Sequence, residues 1–270
     1  MPAESESPLP LAGRGIVVTR PRAQAEVLAR RVHAAGGVPI LFPLLEILEP
    51  DAAALASLDV VIERIDRYDL AIFVSPNAVA GAMQRIADTC RLPLPPRLRI
   101  AAVGPGSARE LARFGVGDVI VPQQRFDSEA LLALPQLADI AGQRIVIFRG
   151  NGGRPLLGDT LVARGAVVEY AECYRRVVPQ LDAAPLLDAW KHHRIDAITI
   201  TSSEGLRNLF DGVGESGRLL LQETPLIATH RRIADAARAL GAVAVAIAGP
   251  DDEALVAGLI AYFAQPAQQR

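Results

Sequence analysis

The sequence predicts an α/β protein made of two doubly wound parallel-sheet domains, and three observations point to this class. An apolar strand that ends in arginine, Ile16–Pro21, returns about 129 residues later as Ile145–Gly150, which indicates an internal repeat. Short runs rich in Val, Ile and Ala alternate with helical patterns, as in parallel sheets covered on both faces. The 270 residues are also enough for two domains of ordinary size.

The first copy of the repeat contains five predicted strands, each followed by a predicted helix. They are strand 16–19, helix 22–35, strand 38–42, helix 51–66, strand 70–74, helix 76–88, strand 99–103, helix 106–114, strand 118–121 and helix 127–138.

The second copy has the same order of predicted elements. They are strand 144–148, helix 154–164, strand 166–170, helix 183–193, strand 196–200, helix 204–213, strand 225–229, helix 231–240, strand 243–247 and helix 251–264. Five alternating strands and helices in each copy predict two flavodoxin-like domains.

The second strand of each copy runs into a polar stretch bounded by proline, and we take 43–46 and 172–178 as linkers. If neither linker crosses between domains, each copy is a domain. If both cross, residues 46–172 form one domain and residues 14–42 plus 178–270 form the other. The repeat alone does not decide between these two arrangements.

Composition excludes several classes of protein. Apolar runs are shorter than the roughly 18 residues that span a bilayer, and a net charge of −2 provides no field for nucleic acid or membrane. Cys90 and Cys173 lack the spacing of a disulfide framework or a zinc site, so we expect a cytoplasmic protein. Residues 1–12 lack the features of a signal peptide, and we expect them to form a disordered tail.

Ligands of open parallel sheets bind beyond the carboxyl ends of the strands, so the candidate site residues are those in the loops that follow the strands. These loops are rich in hydroxyl groups, glycines and arginines, which bind carboxylates or phosphates. The candidates are Arg20, Ser75, Asn77, Gly104, Ser107, Arg149, Gly150, Arg154, Ser202, Ser203, Thr229, His230, Arg231 and Arg232.

Each of these residues also has an ordinary structural role open to it. The serines and Asn77 stand where helix caps stand, the glycines suit turns, and the arginines suit a solvated surface. The acidic run that begins at Asp251 is interpreted as a helix cap. The histidines show no metal-ligand spacing, and neither a dinucleotide fingerprint nor a nucleophile elbow is present.

Taken together, these segments resemble the uroporphyrinogen-III synthase family over nearly the whole chain after residue 12. The resemblance depends on the order and spacing of several short motifs at strand ends. They are Val18–Pro21, Phe73–Val79, Ala102–Ala108, Arg149–Arg154, Tyr174–Arg176 and Arg232–Ala237.

The resemblance implies the arrangement in which both linkers cross, with one domain built from both ends of the chain. It implies a monomeric lyase, without cofactor or metal, that closes the linear tetrapyrrole hydroxymethylbilane to uroporphyrinogen III with its last ring inverted. It further implies that Tyr174, in the linker, is the catalytic acid. Ser107 has Ile233 as its counterpart in the second copy, so a hydroxyl there is absent or replaced by Thr229 or His230.

Two other functions remain open at this point. A two-lobed binding or regulatory protein would close on an anionic ligand without altering it, but has no need to combine Tyr174 with both serine-bearing loops. A two-lobed glycosyltransferase would need an acidic residue for the ribose of a sugar nucleotide, and the sequence offers none in the expected position.

Overall fold

The computed structural model describes residues 9–266, which form ten strands and eleven α-helices. The strands are β1 (Gly15–Val18), β2 (Val38–Leu41), β3 (Glu46–Leu48), β4 (Leu70–Phe73), β5 (Arg99–Ala102), β6 (Arg144–Gly150), β7 (Val167–Val177), β8 (Ala197–Ile200), β9 (Leu226–Ala228) and β10 (Val245–Ile247). The helices are α1 (Arg22–Ala34), α2 (Ala52–Glu63), α3 (Pro76–Asp88), α4 (Pro105–Arg113), α5 (Ser128–Leu132), α6 (Leu156–Ala163), α7 (Ala184–Lys191), α8 (Ser203–Gly212), α9 (Gly214–Glu223), α10 (Arg231–Ala239) and α11 (Asp252–Ala264). Short 3-10 helices cover Ile65–Arg67 and Pro135–Leu137.

The strands form two five-stranded sheets, in the orders β10-β9-β8-β1-β2 and β3-β7-β6-β4-β5. All four neighbouring pairs of the first sheet are parallel. In the second sheet, β6 is parallel to β7 and β4, and β4 is parallel to β5. Two sheets dominated by parallel pairs, with intervening helices, confirm the predicted α/β class.

Contacts divide the chain into two compact units. Unit 1 contains the described residues up to Glu46 and from Val177 onward, and unit 2 is the continuous stretch Ile47–Arg176. In unit 1, β1 and β2 share a sheet with β8, β9 and β10, which come from the other end of the chain. The linker bounds 43–46 and 172–178 stay a prediction.

Residues that alternate along a strand pack into different clusters, which explains why the strands are apolar throughout. In β6, Val146 and Phe148 belong to one core cluster while Ile145 and Ile147 belong to another. The Phe148 ring stacks on Phe73 of β4 with ring centroids 4.8 Å apart. Each sheet therefore has a buried apolar layer on both faces, as expected for doubly wound parallel sheets.

Several elements of the structure differ from the prediction. Residues 118–121 form only one bridge, between Ile120 and Ala101, because Pro122 has no N–H with which to extend the ladder. The helix expected over 127–138 is α5 followed by a 3-10 turn, since Pro135 forces Leu134 out of the helical conformation. After the predicted helix 204–213, the chain starts the additional helix α9 at Gly214, whose φ is +63°.

The expected tail of residues 1–12 overlaps the described structure at residues 9–12. Residues 1–8 lie outside the described residues. Leu11 is completely buried, and its backbone N–H donates to the Ala35 carbonyl at 2.9 Å. The prediction is therefore wrong for Leu11, because this apolar residue packs in the core beside α1 and α11.

The two cysteines differ in burial, which predicts unequal reactivity. Cys90 is exposed, whereas Cys173 is buried and its pKa is raised to about 12, mainly by desolvation. Because the thiolate is the reactive form, we expect Ellman's reagent to titrate Cys90 alone in the native protein and both thiols after denaturation. Rapid reaction of both thiols in the native protein would contradict the buried position of Cys173.

Candidate active site

A cavity of about 240 Å³ lies in unit 2 at the carboxyl ends of β4 and β6. Its polar wall comes from strand ends, from β7 and from the glycine-rich loop that follows β6. The polar side chains that line it are Ser75, Ser128, Arg149, Arg154, Tyr170, Tyr174 and Arg176. Predicted site residues from three separate segments of the sequence thus share one wall.

Tyr174 is a buried residue of β7, and its hydroxyl lies 3.1 Å from the Ser75 hydroxyl. Ser75 is the N-cap of α3, and its Oγ accepts the Ala78 backbone N–H at 3.1 Å. The capping role and the site role of Ser75 are therefore compatible. Gly150, the neighbour of Tyr174 across the ladder, also lines the cavity.

Arg149 stands at the end of β6 and holds its guanidinium over the Tyr170 ring, 4.9 Å from the centroid. Its Nε donates to the Gly150 carbonyl at 3.2 Å. Among residues 9–266, no carboxylate forms an ion pair with Arg149. Arg149 therefore brings to the cavity wall a positive charge that no carboxylate of the described chain compensates.

Arg154 lines the same cavity, but its charge is matched within the protein. Its two terminal nitrogens donate to the two Glu129 carboxylate oxygens at 2.5 and 2.9 Å. The hydrogen bonds from Arg154 lower the pKa of Glu129 to about 2, so Glu129 is ionised at neutral pH. Arg154 is consequently a weaker candidate than Arg149 for binding an external anion.

The cavity wall also contains Ser128, Tyr170 and Arg176, which were not among the sequence candidates, and neither was Asn151 in the adjoining loop. Asn151 Oδ1 accepts the Arg176 backbone N–H at 2.6 Å, and the Asn151 backbone N–H donates to the Tyr174 carbonyl at 3.1 Å. Asn151 thereby ties the loop after β6 to the end of β7. Alternation along a regular strand would place Tyr170 and Tyr174 on one face, but the register of β7 shifts between them. The sequence therefore offered no signal for Tyr170.

Asn77, Gly104 and Ser107 lie at the starts of α3 and α4 in unit 2. Asn77 is the second residue of α3, Gly104 is the N-cap of α4, and the buried Ser107 is the third residue of α4. These two helix starts are neighbours, since a Cβ on Gly106 would lie 3.4 Å from the Pro76 Cγ. The three residues do not line the cavity.

The candidates of unit 1 follow β1, β8 and β9, whose parallel pairing brings their carboxyl ends to one sheet edge. Ser202 caps α8 and accepts the Gly205 N–H at 2.8 Å, while the Ser203 hydroxyl is buried without a hydrogen-bond partner among the described residues. Thr229 is buried, and His230 occupies the N-cap position of α10. Arg231 and Arg232 are exposed in the first turn of α10.

Arg20 has a protein partner. Its Nε lies 2.9 Å from Asp252 Oδ1, with both side chains largely buried, although the N–H does not point at that oxygen. Burial lowers the pKa of Arg20, and the neighbouring Asp252 and Asp251 oppose this shift. Asp251 caps α11 as predicted, by accepting the Ala254 N–H at 2.9 Å. Arg20 therefore ties β1 to the start of α11.

Ile233 occupies the third position of α10, as Ser107 does in α4, and it is buried among apolar residues. Its helical turn, which the structure describes throughout, offers no hydroxyl in its place. The Thr229 hydroxyl, in the preceding loop, donates to the Thr201 carbonyl at 3.4 Å.

The model of the family described as "Uroporphyrinogen-III synthase HemD" matches residues 26–257. The chain belongs to the uroporphyrinogen-III synthase family. Two relatives, the uroporphyrinogen-III synthases of Salmonella typhimurium and Escherichia coli K12, are each 36% identical over 247 residues, which cover 90% of this chain and 99% of the relative. A crystal structure of a mutant uroporphyrinogen III synthase from Thermus thermophilus covers 92% of this chain and 97% of its own, with 21% identity and a TM-score of 0.65.

Two further observations concern this member of the uroporphyrinogen-III synthase family. Within the described part of the chain, no cluster of His, Cys, Asp and Glu has the composition of a metal site. None of the helices in that part is both long enough and apolar enough to cross a membrane.

Proposed function

We propose that this chain closes hydroxymethylbilane to uroporphyrinogen III, inverting the last pyrrole ring and releasing water, as its family membership indicates. The observation that carries the site assignment is the Tyr174 hydroxyl, 3.1 Å from Ser75 in the wall of a cavity that Arg149 also lines. The Tyr174 phenol can supply a proton to the hydroxyl that the substrate loses. Arg149, which has no carboxylate partner in the described chain, can bind one of the carboxylates that every ring of the substrate carries.

The first chemical step is proposed to be loss of the terminal hydroxyl. The electron pair of the pyrrole nitrogen expels the hydroxyl as the carbon–oxygen bond breaks, and the Tyr174 phenol supplies the proton that turns it into water. The product is an electrophilic azafulvene. Because Ser75 Oγ already accepts an amide N–H, its own O–H is available to donate to the Tyr174 oxygen and stabilise the phenolate.

Ring closure then requires control of conformation more than a strong base. The last ring attacks the azafulvene through a substituted carbon, giving a spiro intermediate that breaks and recombines with that ring turned. When the final carbon–carbon bond restores the aromatic pyrrole, the released proton returns to the Tyr174 oxygen. Loss of water and carbon–carbon bond formation involve no net oxidation, so the proposal calls for no redox cofactor. Orientation of the two chain ends is the remaining task of the protein.

The cavity in unit 2 is proposed to bind one ring of the substrate. Its volume of about 240 Å³ is below the roughly 300–1,000 Å³ of pockets that enclose drug-sized ligands, and a tetrapyrrole is larger still. Arg149 is the proposed ligand for a carboxylate of that ring, because its charge has no carboxylate partner among the described residues and its ring contact with Tyr170 holds it in place. Arg154 contributes less, since Glu129 already binds it.

Other carboxylates of the substrate are proposed to bind at helix starts. In unit 2 these groups are Asn77, Gly104 and Ser107, and in unit 1 they are Ser202, Ser203, Thr229, His230, Arg231 and Arg232. Support comes from their place at the carboxyl edges of parallel sheets, where helix N-termini attract anions. Arg20 is proposed to stabilise α11 instead, because Asp252 binds it.

We further propose that the enzyme acts as a monomer in the cytoplasm. Both cysteines are free thiols, which suits a reducing compartment. Every residue that lines the unit 2 cavity comes from one continuous part of a single chain, so no second copy is needed to build it.

A product analysis tests the proposed function. Purified protein is given freshly generated hydroxymethylbilane, and the oxidised products are separated into uroporphyrin isomers I and III. We expect mostly isomer III, because the spontaneous closure without protein gives isomer I. Isomer I alone, formed at the protein-free rate, would show that the chain does not direct closure and would favour a binding protein.

A further inference from the structure

Gly150 and Tyr174 are in closer contact than any side chain on residue 150 would permit. A Cβ placed on Gly150 would lie 2.5 Å from Cζ, 2.6 Å from Cε2 and 3.0 Å from the hydroxyl oxygen of Tyr174. Carbon atoms in contact are normally about 3.5–4.0 Å apart. The phenol ring therefore occupies the space that a side chain at position 150 would fill.

The backbone at Gly150 gives no other reason for glycine. Gly150 is absent from the glycines with positive φ in the described chain, and it is the last residue of β6. The three atoms nearest to the added Cβ all belong to Tyr174. Glycine at this position therefore leaves room for the Tyr174 ring, and it is not needed for a turn.

An irregularity in the ladder brings the two residues together. Arg149 pairs with Glu172, but the next residue, Gly150, pairs with Tyr174, so Cys173 is left out of the register. Such bulges redirect side chains near functional sites. Without this one, Cys173 would face Gly150.

Helix α3 limits the movement of β7 on the other side. A Cβ on Gly81 of α3 would lie 2.4 Å from the Cys173 carbonyl oxygen, so helix and strand are in direct backbone contact. Six residues earlier, Ser75 contacts the Tyr174 hydroxyl. Tyr174 is only 8% exposed, which leaves its ring little room to move away from β6.

We infer that Gly150 is a positioning residue, whose missing side chain holds the Tyr174 phenol at the Ser75 hydroxyl. This inference rests on the proposed role of Tyr174 as the proton donor. A methyl group at position 150 pushes the ring away from β6, so the hydroxyl leaves Ser75 and the leaving group. The effect falls on proton transfer more than on substrate affinity.

Two other glycines supply matched controls. Tyr170, the other tyrosine of β7, also packs against a glycine, since a Cβ on Gly158 would lie 1.9 Å from the Tyr170 hydroxyl oxygen. Tyr170 is 41% exposed and can turn outward, so Gly158→Ala disturbs the ring beneath Arg149 and raises KM. Gly117 has no atom within 4 Å of an added Cβ and no positive φ, so Gly117→Ala is expected to behave as wild type.

The test measures kcat, KM and the ratio of isomer III to isomer I for Gly150→Ala, in the wild-type and Tyr174→Phe backgrounds. We expect Gly150→Ala to lower kcat by at least about tenfold, a part of the roughly 10²–10⁴ of a general acid, with KM changed less than about threefold. In the Tyr174→Phe background the same change should cost less than about twofold, because the hydroxyl it displaces is already gone. An unchanged kcat, or equal losses in both backgrounds, would overturn the inference.

Thermal melting keeps the inference testable if Gly150→Ala does not fold. We then expect Gly150→Ala/Tyr174→Val to fold and to melt close to Tyr174→Val, because the smaller side chain makes room for the methyl group. Failure of this double variant to recover would show that the methyl group meets something other than Tyr174. The melting cycle does not depend on activity, so it separates failure of this inference from failure of the proposed function.

Discussion

Tyr174→Phe is expected to remove most of the isomer III activity, lowering kcat by at least about a hundredfold, within the roughly 10²–10⁴ that a positioned general acid contributes. The substitution removes only the hydroxyl that lies 3.1 Å from Ser75, while the ring keeps its buried place against Gly150. KM should change little. The measurement is the steady-state rate of isomer III formation, corrected for the isomer I that forms spontaneously.

Tyr170→Phe is the matched control for this prediction. It removes a hydroxyl from the same strand and the same cavity wall, but one that lies against Gly158 of α6 rather than against Ser75. We expect near-normal kcat for this variant. Turnover of Tyr174→Phe close to wild type, or an equal loss in Tyr170→Phe, would remove Tyr174 from the role of proton donor.

Arg149→Gln is expected to raise KM by about ten- to a hundredfold, since a hydrogen bond to a charged group contributes roughly 1.5–3 kcal/mol and each 1.4 kcal/mol is a factor of ten. The glutamine can still donate a hydrogen bond but lacks the charge that no carboxylate in the described chain neutralises. The isomer ratio should change little, because Arg149 is proposed to bind rather than to react. Initial rates over a range of hydroxymethylbilane concentrations measure the effect.

Arg154→Gln provides the comparison, because this arginine lines the same cavity but is bound to Glu129. We expect a clearly smaller rise in KM. Glu129 has a folded-state pKa of about 2, below its ordinary value of 4.5, so its ion pair is complete above that ordinary value and is lost only as the pH falls toward 2. The comparison therefore holds at any neutral assay pH. A rise in KM equal to that of Arg149→Gln would show that the substrate displaces Glu129.

The sequence predicted the strands well where both faces of the strand are buried, because such a strand must be apolar throughout. Continuous runs such as Ile145–Phe148 are buried on both faces, and their apolar pattern is a direct result. The prediction was poorer at the edges. Strand β3 lies outside every predicted strand, and β7 continues to Val177 although the predicted strand ended at residue 170. Polar residues and nearby prolines are as typical of strands at a sheet margin as they are of loops.

The sequence predicted where the candidate site residues lie but not which of them already have a partner within the protein. Examining the loops after the strands identified Ser75 and Arg149, because the carboxyl ends of parallel strands lie at one sheet edge, whereas Tyr174 came from the family resemblance. The sequence could not show that Arg154 and Arg20 are paired with carboxylates while Arg149 is not. Glu129 and Asp252, which bind Arg154 and Arg20, are distant in sequence, and only the folded chain brings each acid to its arginine.

The insertion of unit 2 within unit 1 imposes an order on folding as the ribosome releases the chain. The Thr199 hydroxyl of β8 donates to the Val17 carbonyl of β1, a partner 182 residues earlier. Because synthesis proceeds at roughly 5–20 residues per second, the strands that complete the sheet of β1 and β2 are made about ten to forty seconds after them. All of unit 2 emerges during that interval, so the middle of the chain can fold while the amino-terminal strands still expose their apolar residues.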